Sequence, residues 1–256
     1  MPRKSFILYS SITGNTEKVA LRFKKVFESK GWQCDSLKIN RKTNLKEIPY
    51  KLEDYDIICV GSPILAGLPT REMQDAIGPG VLFRKFPGFP HIDEGYGQKK
   101  GIVFVTYGGF GRGPEEAIPT LALLKMKLED IKIKCIGKFA CPGKEFRHVA
   151  VDTVAQKQKL SVEDASGTLA RYAENPNSAE FSNFSKEERN VFEKALADNR
   201  EVQIGSERSN MWHWDVQRRP GERDLLKAQI FMEEILEDYY EGGLEAAPVA
   251  EYLCIA

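Results

Sequence analysis

The sequence lacks several features by which whole classes of protein are recognised. Its 37 lysines and arginines balance 37 aspartates and glutamates, so net charge does not indicate a nucleic acid or an anionic membrane as partner. No apolar run approaches the length that a bilayer-spanning helix needs. The apolar run after the basic residues near the N-terminus is too short for a signal peptide. We therefore expect a cytoplasmic protein that binds neither nucleic acid nor a membrane.

Cysteine and histidine are scarce and scattered. The five cysteines are an odd number, and none belongs to a C-x-x-C motif. A disulfide framework, an iron–sulfur cluster and a structural zinc site are therefore not expected. His91, His148 and His213 lie far apart along the chain and show no metal-ligand spacing. Because no nucleophile–base pair stands out either, the sequence predicts no catalytic residues and no metal ligands.

The chain does contain a regular alternation of strand and helix patterns. Strand patterns, several of them apolar throughout, occur at 5–10, 32–39, 55–62, 101–109 and 131–140. Helical periodicity occurs at 16–29, 69–78 and 113–130. The order β-α-β-β-α-β-α-β with short connections predicts an α/β domain built on a doubly wound parallel sheet.

Three regions fall outside this alternation. Segment 78–100 is rich in glycine, proline and aromatic residues and is predicted to be an inserted loop, functional or disordered. After residue 142 the strand pattern ends, and helices are predicted at 185–199 and 221–243. We therefore divide the chain into a domain at 1–200 and a helical C-terminal extension at 201–256. The extension either clamps the domain or forms an interface, for example in a homodimer, since its tryptophans and arginines are typical of interfaces.

Three glycine-bearing loops follow predicted strands. They read SSITGNT (10–16), GSPILAG (61–67) and TYGGFGRG (106–113). In a doubly wound sheet, ligands bind beyond the carboxyl ends of the strands, where the strand order reverses. The three loops are therefore expected to meet at one ligand site.

The first loop opens a helix, so its free backbone N–H groups and the helix dipole favour an anion. Gly14 permits close approach of the backbone, and Ser11, Thr13, Asn15 and Thr16 add neutral donors. The absence of lysine and arginine favours a monophosphate over a triphosphate with its metal. The alternative is that Thr13 or Asn15 simply caps the helix.

Two other nucleotide-binding motifs fail in detail. GKFACPGKE (137–145) has one residue too many for a Walker loop and places Glu145 where the hydroxyl belongs. GFGRGP (109–114) ends in Pro114 where a Rossmann fingerprint needs glycine.

The motif YSSITGNTEKVA resembles the phosphate loop of flavodoxins, whose hydroxyl-rich T-G-N-T segment holds the phosphate of FMN. The other two loops are similar to those that hold the isoalloxazine ring. The resemblance implies a five-stranded flavodoxin-like sheet of order 2-1-3-4-5 with helices on both faces, and FMN as cofactor. It implies phosphate contacts from Ser11, Ile12, Thr13, Gly14, Asn15 and Thr16. It implies ring contacts on one side from Ser62, Pro63, Ile64, Leu65, Ala66 and Gly67, and on the other from Thr106, Tyr107, Gly108, Gly109, Phe110 and Gly111.

Two departures from the flavodoxin pattern stand out. Ile12 replaces a hydroxyl residue, so only its backbone N–H is available to a phosphate. The 61–67 loop lacks an aromatic residue to stack on the flavin, which leaves Tyr107 or Phe110 as the stacking candidates. The alternative for both aromatics is ordinary core packing.

The sequence and its resemblance to flavodoxins leave three functions open. The resemblance implies an electron-transfer protein that shuttles electrons between a reductase and an acceptor enzyme as protein partners. A second reading is an FMN-dependent NAD(P)H or quinone-type oxidoreductase, because the 78–100 loop and the extension offer material for a substrate pocket. A third is a flavodoxin-like interaction module without cofactor, against which the intact T-G-N-T segment argues.

Overall fold

A computed structural model describes residues 3–47, 49–65, 67–77, 99–108, 113–143, 148–207, 220–237 and 250–253. Its strands are β1 (Lys4–Ser10), β2 (Gln33–Ile39), β3 (Ile57–Leu65), β4 (Leu68–Pro69), β5 (Lys100–Tyr107), β6 (Lys134–Pro142) and β7 (Ala250–Leu253). Its α-helices are α1 (Asn15–Ser29), α2 (Arg71–Ile77), α3 (Ile118–Asp130), α4 (His148–Gln158), α5 (Val162–Glu174), α6 (Lys186–Glu207) and α7 (Glu222–Glu234). No helix in these ranges combines the length and the apolar character that crossing a bilayer requires.

The sheet confirms the predicted parallel architecture and extends it. Its order is β2-β1-β3-β5-β6-β7, and all neighbours in this order are parallel. The five predicted strands are the first five in this list and have the predicted relative order. Two strands were not predicted: β7 adds a sixth parallel strand beside β6, and the short β4 pairs antiparallel with β3.

The central strands are buried on both faces, as their apolar runs predict. Along β1, Phe6 and Leu8 face one core, while Ile7 and Tyr9 face the other. The first core lies under α2 and α3, and the second lies under α1 and α7. Strand residues alternate between faces with a period of two, so a continuous apolar run supplies both cores at once.

Helix α7 completes the face of the sheet that α1 covers. The ring of Phe231 lies 5.4 Å from that of Phe139 on β6 and 5.9 Å from that of Phe23 on α1, measured between centroids. Gly137 of β6 makes this approach possible, because a Cβ at that position would overlap Ile235. The described part of the predicted 221–243 helix therefore packs on its own sheet.

Helices α4, α5 and α6 form a separate unit, called here the helical unit (148–207), inserted between β6 and α7. Its core contains Phe181, Tyr172 and Phe192, with the last two rings stacked at 4.9 Å. Helices α4 and α5 were not predicted, and α6, which contains the predicted helix at 185–199, packs with them. Helix α6 also runs through residue 200. The division into 1–200 and 201–256 stays a prediction.

Candidate ligand site at the carboxyl edge of the sheet

The β1–α1 loop begins the helix through its backbone. Gly14 is the N-cap residue, with φ of 85° in the left-handed region, and no side chain caps the helix at this position. The side-chain nitrogen Nδ2 of Asn15 donates a hydrogen bond to Thr13 Oγ1 at 2.9 Å. The proposal that Thr13 or Asn15 caps α1 is therefore wrong. The chain here has the shape that a backbone anion site needs.

Three amide groups of this loop are available for a ligand. Within the described residues, the backbone N–H groups of Ile12, Thr13 and Gly14 donate to no other group. The N–H of Glu17, one turn into the helix, is satisfied by Ser11 Oγ at 3.2 Å. Since the dipole of α1 places partial positive charge at this end, the free N–H groups could hold an anion, and this loop is the candidate anion site.

A buried hydroxyl pair joins the first loop to the third. Thr16 Oγ1 and Thr106 Oγ1 lie 2.9 Å apart, and both residues are almost fully buried. The sequence predicts that Thr16 contacts the phosphate of FMN and that Thr106 contacts its isoalloxazine ring. The structure brings the two residues together and directs their hydroxyls at each other.

A second hydroxyl cluster joins the first loop to the second. Ser10 Oγ lies 2.7 Å from Thr70 Oγ1 and 3.3 Å from Ser62 Oγ, and Thr70 N donates to Ser62 Oγ at 3.0 Å. All three side chains are buried. Ser10 and Thr70 were missed by the sequence analysis, although Ser10 directly precedes the predicted phosphate loop. These bonds fix the carboxyl ends of β1 and β3 relative to each other.

The second loop is shorter than predicted, because β3 continues through Leu65. Gly67 has φ of 82° and turns the chain into β4, where Leu68 pairs with Leu65. Thr120 of α3 donates to the carbonyl of Gly67 at 2.9 Å and holds this hairpin. Leu65 and Leu68 are 45% and 49% exposed, whereas Pro63 and Ile64 are half-buried. The hairpin thus presents an apolar edge beside the site.

The third loop is described only at its start. Tyr107 is buried in the core under α3, with Val105 and Leu121, and its carbonyl accepts a 2.7 Å hydrogen bond from Gly143 N. This is the core packing that was the alternative for Tyr107. Gly108 is half-buried at the end of β5. Four predicted ring residues lie outside the described residues, namely Ala66, Gly109, Phe110 and Gly111, as do 78–98 of the predicted loop and 208–219 of the extension.

One acidic side chain stands next to the anion site, and a lysine pairs with it. Glu17 on the first turn of α1 accepts a hydrogen bond from Tyr9 Oη at 3.2 Å and forms a 2.8 Å ion pair with Lys38 of β2. Burial raises the pKa of the Tyr9 hydroxyl, and the charge of Glu17 raises it further, so Tyr9 stays protonated. Because Lys38 balances Glu17, the candidate anion site faces little opposing charge. In the described ranges, no group of three or more acidic, cysteine or histidine side chains is placed to hold a metal.

The site lies where the strand order reverses between β1 and β3, the switch point at which doubly wound sheets bind ligands. The order of the five predicted strands, with the ligand loops on the first, third and fourth of them, decides the fold type. The fold is flavodoxin-like. The helical unit and β7 are additions to it.

Comparisons with solved structures find similar proteins at low sequence identity. An archaeal flavodoxin is 17% identical, with a TM-score of 0.40, over 67% of this chain and 99% of its own. The Trp repressor binding protein from Bacillus subtilis is 12% identical, with a TM-score of 0.44, over 65% and 99%. Rubredoxin oxygen:oxidoreductase from Desulfovibrio gigas is 17% identical, with a TM-score of 0.37, over 70% of this chain and 38% of its own. No family model and no curated protein sequence matches the chain.

Proposed function

We propose that the chain binds FMN and carries electrons between a reductase and an acceptor enzyme. The observation that supports this most directly is the start of α1. Gly14 at the N-cap has no side chain to cap the helix, Ser11 Oγ satisfies the N–H of Glu17, and the N–H groups of Ile12 and Thr13 are free for an anion. The loop has no lysine or arginine, which favours a singly attached phosphate such as that of FMN.

The residues around this loop fit the rest of the cofactor. Thr13 Oγ1, half-buried at the loop, is a neutral polar group for a phosphate oxygen. The Leu65–Leu68 hairpin and the end of β5 at Tyr107 and Gly108 flank the edge at which a flat apolar ring would lie. Bound FMN would supply the capacity to take up and release electrons. The protein's part is to hold the phosphate, keep the ring loops in register through the buried hydroxyls, and limit water at the edge.

A carrier role is supported by what surrounds the ring position. The exposed Leu65 and Leu68 form an apolar rim next to the position proposed for the ring. Such a rim suits transient docking of a redox partner protein, since the fully buried parts of interfaces are apolar. The sequence, for its part, contains no evident nucleophile–base pair for substrate chemistry.

The test begins with the purified protein. A carrier should be yellow, and the flavin released by heating should be identified as FMN by chromatography. Apo-protein should quench the fluorescence of added FMN at a much lower concentration than that of riboflavin, because riboflavin lacks the phosphate. A colourless protein whose apo-form binds neither flavin would contradict the proposal and would favour the interaction module without cofactor.

The FMN-dependent oxidoreductase is the second candidate, favoured by the helical unit. This unit follows β6 and contacts the phosphate loop, so it adds walls at the edge where a small acceptor would enter. Stopped-flow mixing of the FMN-loaded protein with NADH and with NADPH separates the two functions. A carrier needs a separate reductase. The visible absorbance of its oxidised flavin should therefore persist with either nucleotide alone. Rapid bleaching by one of them would favour the oxidoreductase.

A further inference from the structure

Helix α5 contacts the sheet domain along a single stripe. Glu163 pairs with Arg41 after β2 at 2.7 Å, and Glu174 pairs with Lys18 of α1 at 2.7 Å. Between them, Gly167 lies against the carbonyl oxygen of Ile12. At 100° per residue these three positions of α5 fall within about 40° of one another round the helix axis. The stripe therefore forms a seam, called here the α5 seam, between the helical unit and the phosphate loop.

The opposite side of α5 belongs to the core of the helical unit. Ala165, Leu169 and Tyr172 are buried there together with Phe181 and Phe192. One face of α5 thus packs in the core of the helical unit, and the opposite face contacts the β1–α1 loop. A helix packed on both sides cannot move without disturbing one of the two contacts.

Gly167 is the point of closest approach. A Cβ at this position would lie 3.1 Å from the Ile12 carbonyl oxygen and 3.3 Å from Arg171 Nη1. The Arg171 contact is the far end of a flexible side chain, whereas the Ile12 contact is backbone. Glycine here costs helix stability relative to alanine, so its presence is accounted for by the closeness of the loop.

We propose that the α5 seam supports the phosphate loop, and that Gly167 is a positioning residue for the backbone N–H groups of Ile12 to Gly14. The inference rests on the proposed FMN function for the identity of the ligand. The carbonyl of Ile12 faces α5, so a shift of this peptide plane rotates the N–H groups that follow it. Phosphate binding and docking of the helical unit are therefore coupled, and each strengthens the other.

The variant Gly167→Ala tests this proposal. The added methyl group must push the Ile12 carbonyl by a few tenths of an ångström, which moves the N–H groups away from their positions for phosphate. We expect the dissociation constant for FMN to rise on the order of tenfold, since sub-ångström errors in a binding site have effects of this size. The constant for riboflavin should stay within about twofold, because riboflavin makes no phosphate contact. The thermal midpoint of the apo-protein should not fall, since alanine favours the helix.

The variant Ser166→Ala is the matched control. It introduces the same side chain one residue earlier, about 100° away round the helix and off the seam. Its ratio of riboflavin to FMN dissociation constants should equal that of the wild-type protein. A Gly167→Ala protein that also keeps the wild-type ratio would overturn the proposal.

Hydrogen exchange of the apo-protein gives a readout that needs no flavin. In the double variant Glu163→Gln, Glu174→Gln, which weakens both ends of the α5 seam, the amides of Glu17 and Lys18 should exchange faster, because they donate to Ser11 Oγ and to the Gly14 carbonyl of the loop. The amides of β1 should be unchanged. Equal exchange of the Glu17 and Lys18 amides in wild type and variant would overturn the support role. If the wild-type protein bound no FMN at all, the proposed function would fail, while this exchange measurement would still decide whether the seam supports the loop.

Discussion

The hydroxyl groups of Thr16 and Thr106 lie 2.9 Å apart in the interior, although the two residues are 90 positions apart in the sequence. Thr16 is in the first turn of α1, and Thr106 is near the carboxyl end of β5. A single hydrogen bond thus connects the phosphate loop with the strand that leads into the third loop. The two parts of the proposed flavin site keep their relative position through the interior of the protein.

Removing one hydroxyl of this pair should destabilise the protein. In Thr16→Val or Thr106→Val the remaining hydroxyl is buried without its partner, which typically costs about 1–3 kcal/mol of the free energy of unfolding. The double variant should lose less than the sum of the two single losses, since no orphaned hydroxyl remains. Urea unfolding of the four proteins measures both effects. Strict additivity would show that the two hydroxyls do not interact.

Gly14 and Gly31 offer a matched pair of glycines at the two ends of α1. Their φ angles are 85° and 78°, and a Cβ at either position meets nothing within 4 Å. Alanine at each should cost about 1–2 kcal/mol through backbone strain alone. Only Gly14→Ala should weaken FMN binding, by on the order of tenfold, because only Gly14 shapes the phosphate loop. Fluorescence titration with FMN checks this, and an equal loss of affinity in Gly31→Ala would contradict it.

Helix α7 should be essential for the stability of the sheet domain. Phe231 is fully buried between Phe23 and Phe139, so Phe231→Ala should lower the free energy of unfolding by about 3–5 kcal/mol. Leu226 on the same helix is 51% exposed, and Leu226→Ala should change the free energy of unfolding by less than about 1 kcal/mol. Chemical denaturation of both variants provides the comparison. Similar small losses would mean that α7 is peripheral to the fold.

The buried thiol of Cys135 should make stability fall in alkaline solution. Burial raises the pKa of this thiol from 9.0 to about 11. Between these two values the unfolded chain loses the proton while the folded protein keeps it, so ionisation favours unfolding. The contribution is fully present below pH 9 and is lost as the pH rises towards 11. Relative to Cys135→Ala, wild-type stability should decline by on the order of 1 kcal/mol per pH unit across this window. Urea unfolding midpoints measured every half pH unit give stability against pH for the wild type and for Cys135→Ala. Parallel curves would show that the pKa of the Cys135 thiol is not raised.

The sheet could be predicted because its strands are apolar runs that feed two cores. Alternation along β5 also places Tyr107 on the same face as Val103 and Val105, so its core position follows from the period of two. The strand β7 could not be predicted, since four residues carry too short a pattern and its pairing with β6 depends on the tertiary fold.

Helices α4 and α5 of the helical unit were missed, although a local signal marks the start of α5. Ser161 accepts a hydrogen bond from Asp164 N at 3.0 Å and donates to the Asp164 carboxylate at 2.9 Å, which is the pattern of a helix start. The apolar positions of α5 recur at helical spacing as clearly as those of α1, so this pattern was a second signal that could have indicated the helix. The Thr16–Thr106 and Ser10–Thr70 bonds join residues distant in sequence, and no local pattern predicts which hydroxyls will meet.

The placement of α7 has a consequence for how the chain is made. Phe23 and Phe139 are synthesised long before Phe231, so the part of this face of the sheet that α7 covers stays open until α7 has been synthesised. The helical unit has a core of its own and forms from local contacts in the meantime. A released chain truncated after residue 219, which lacks α7, should therefore be cut readily by protease within β1 and α1 while 148–207 is resistant. Resistance of both regions would show that the sheet closes without its final helix.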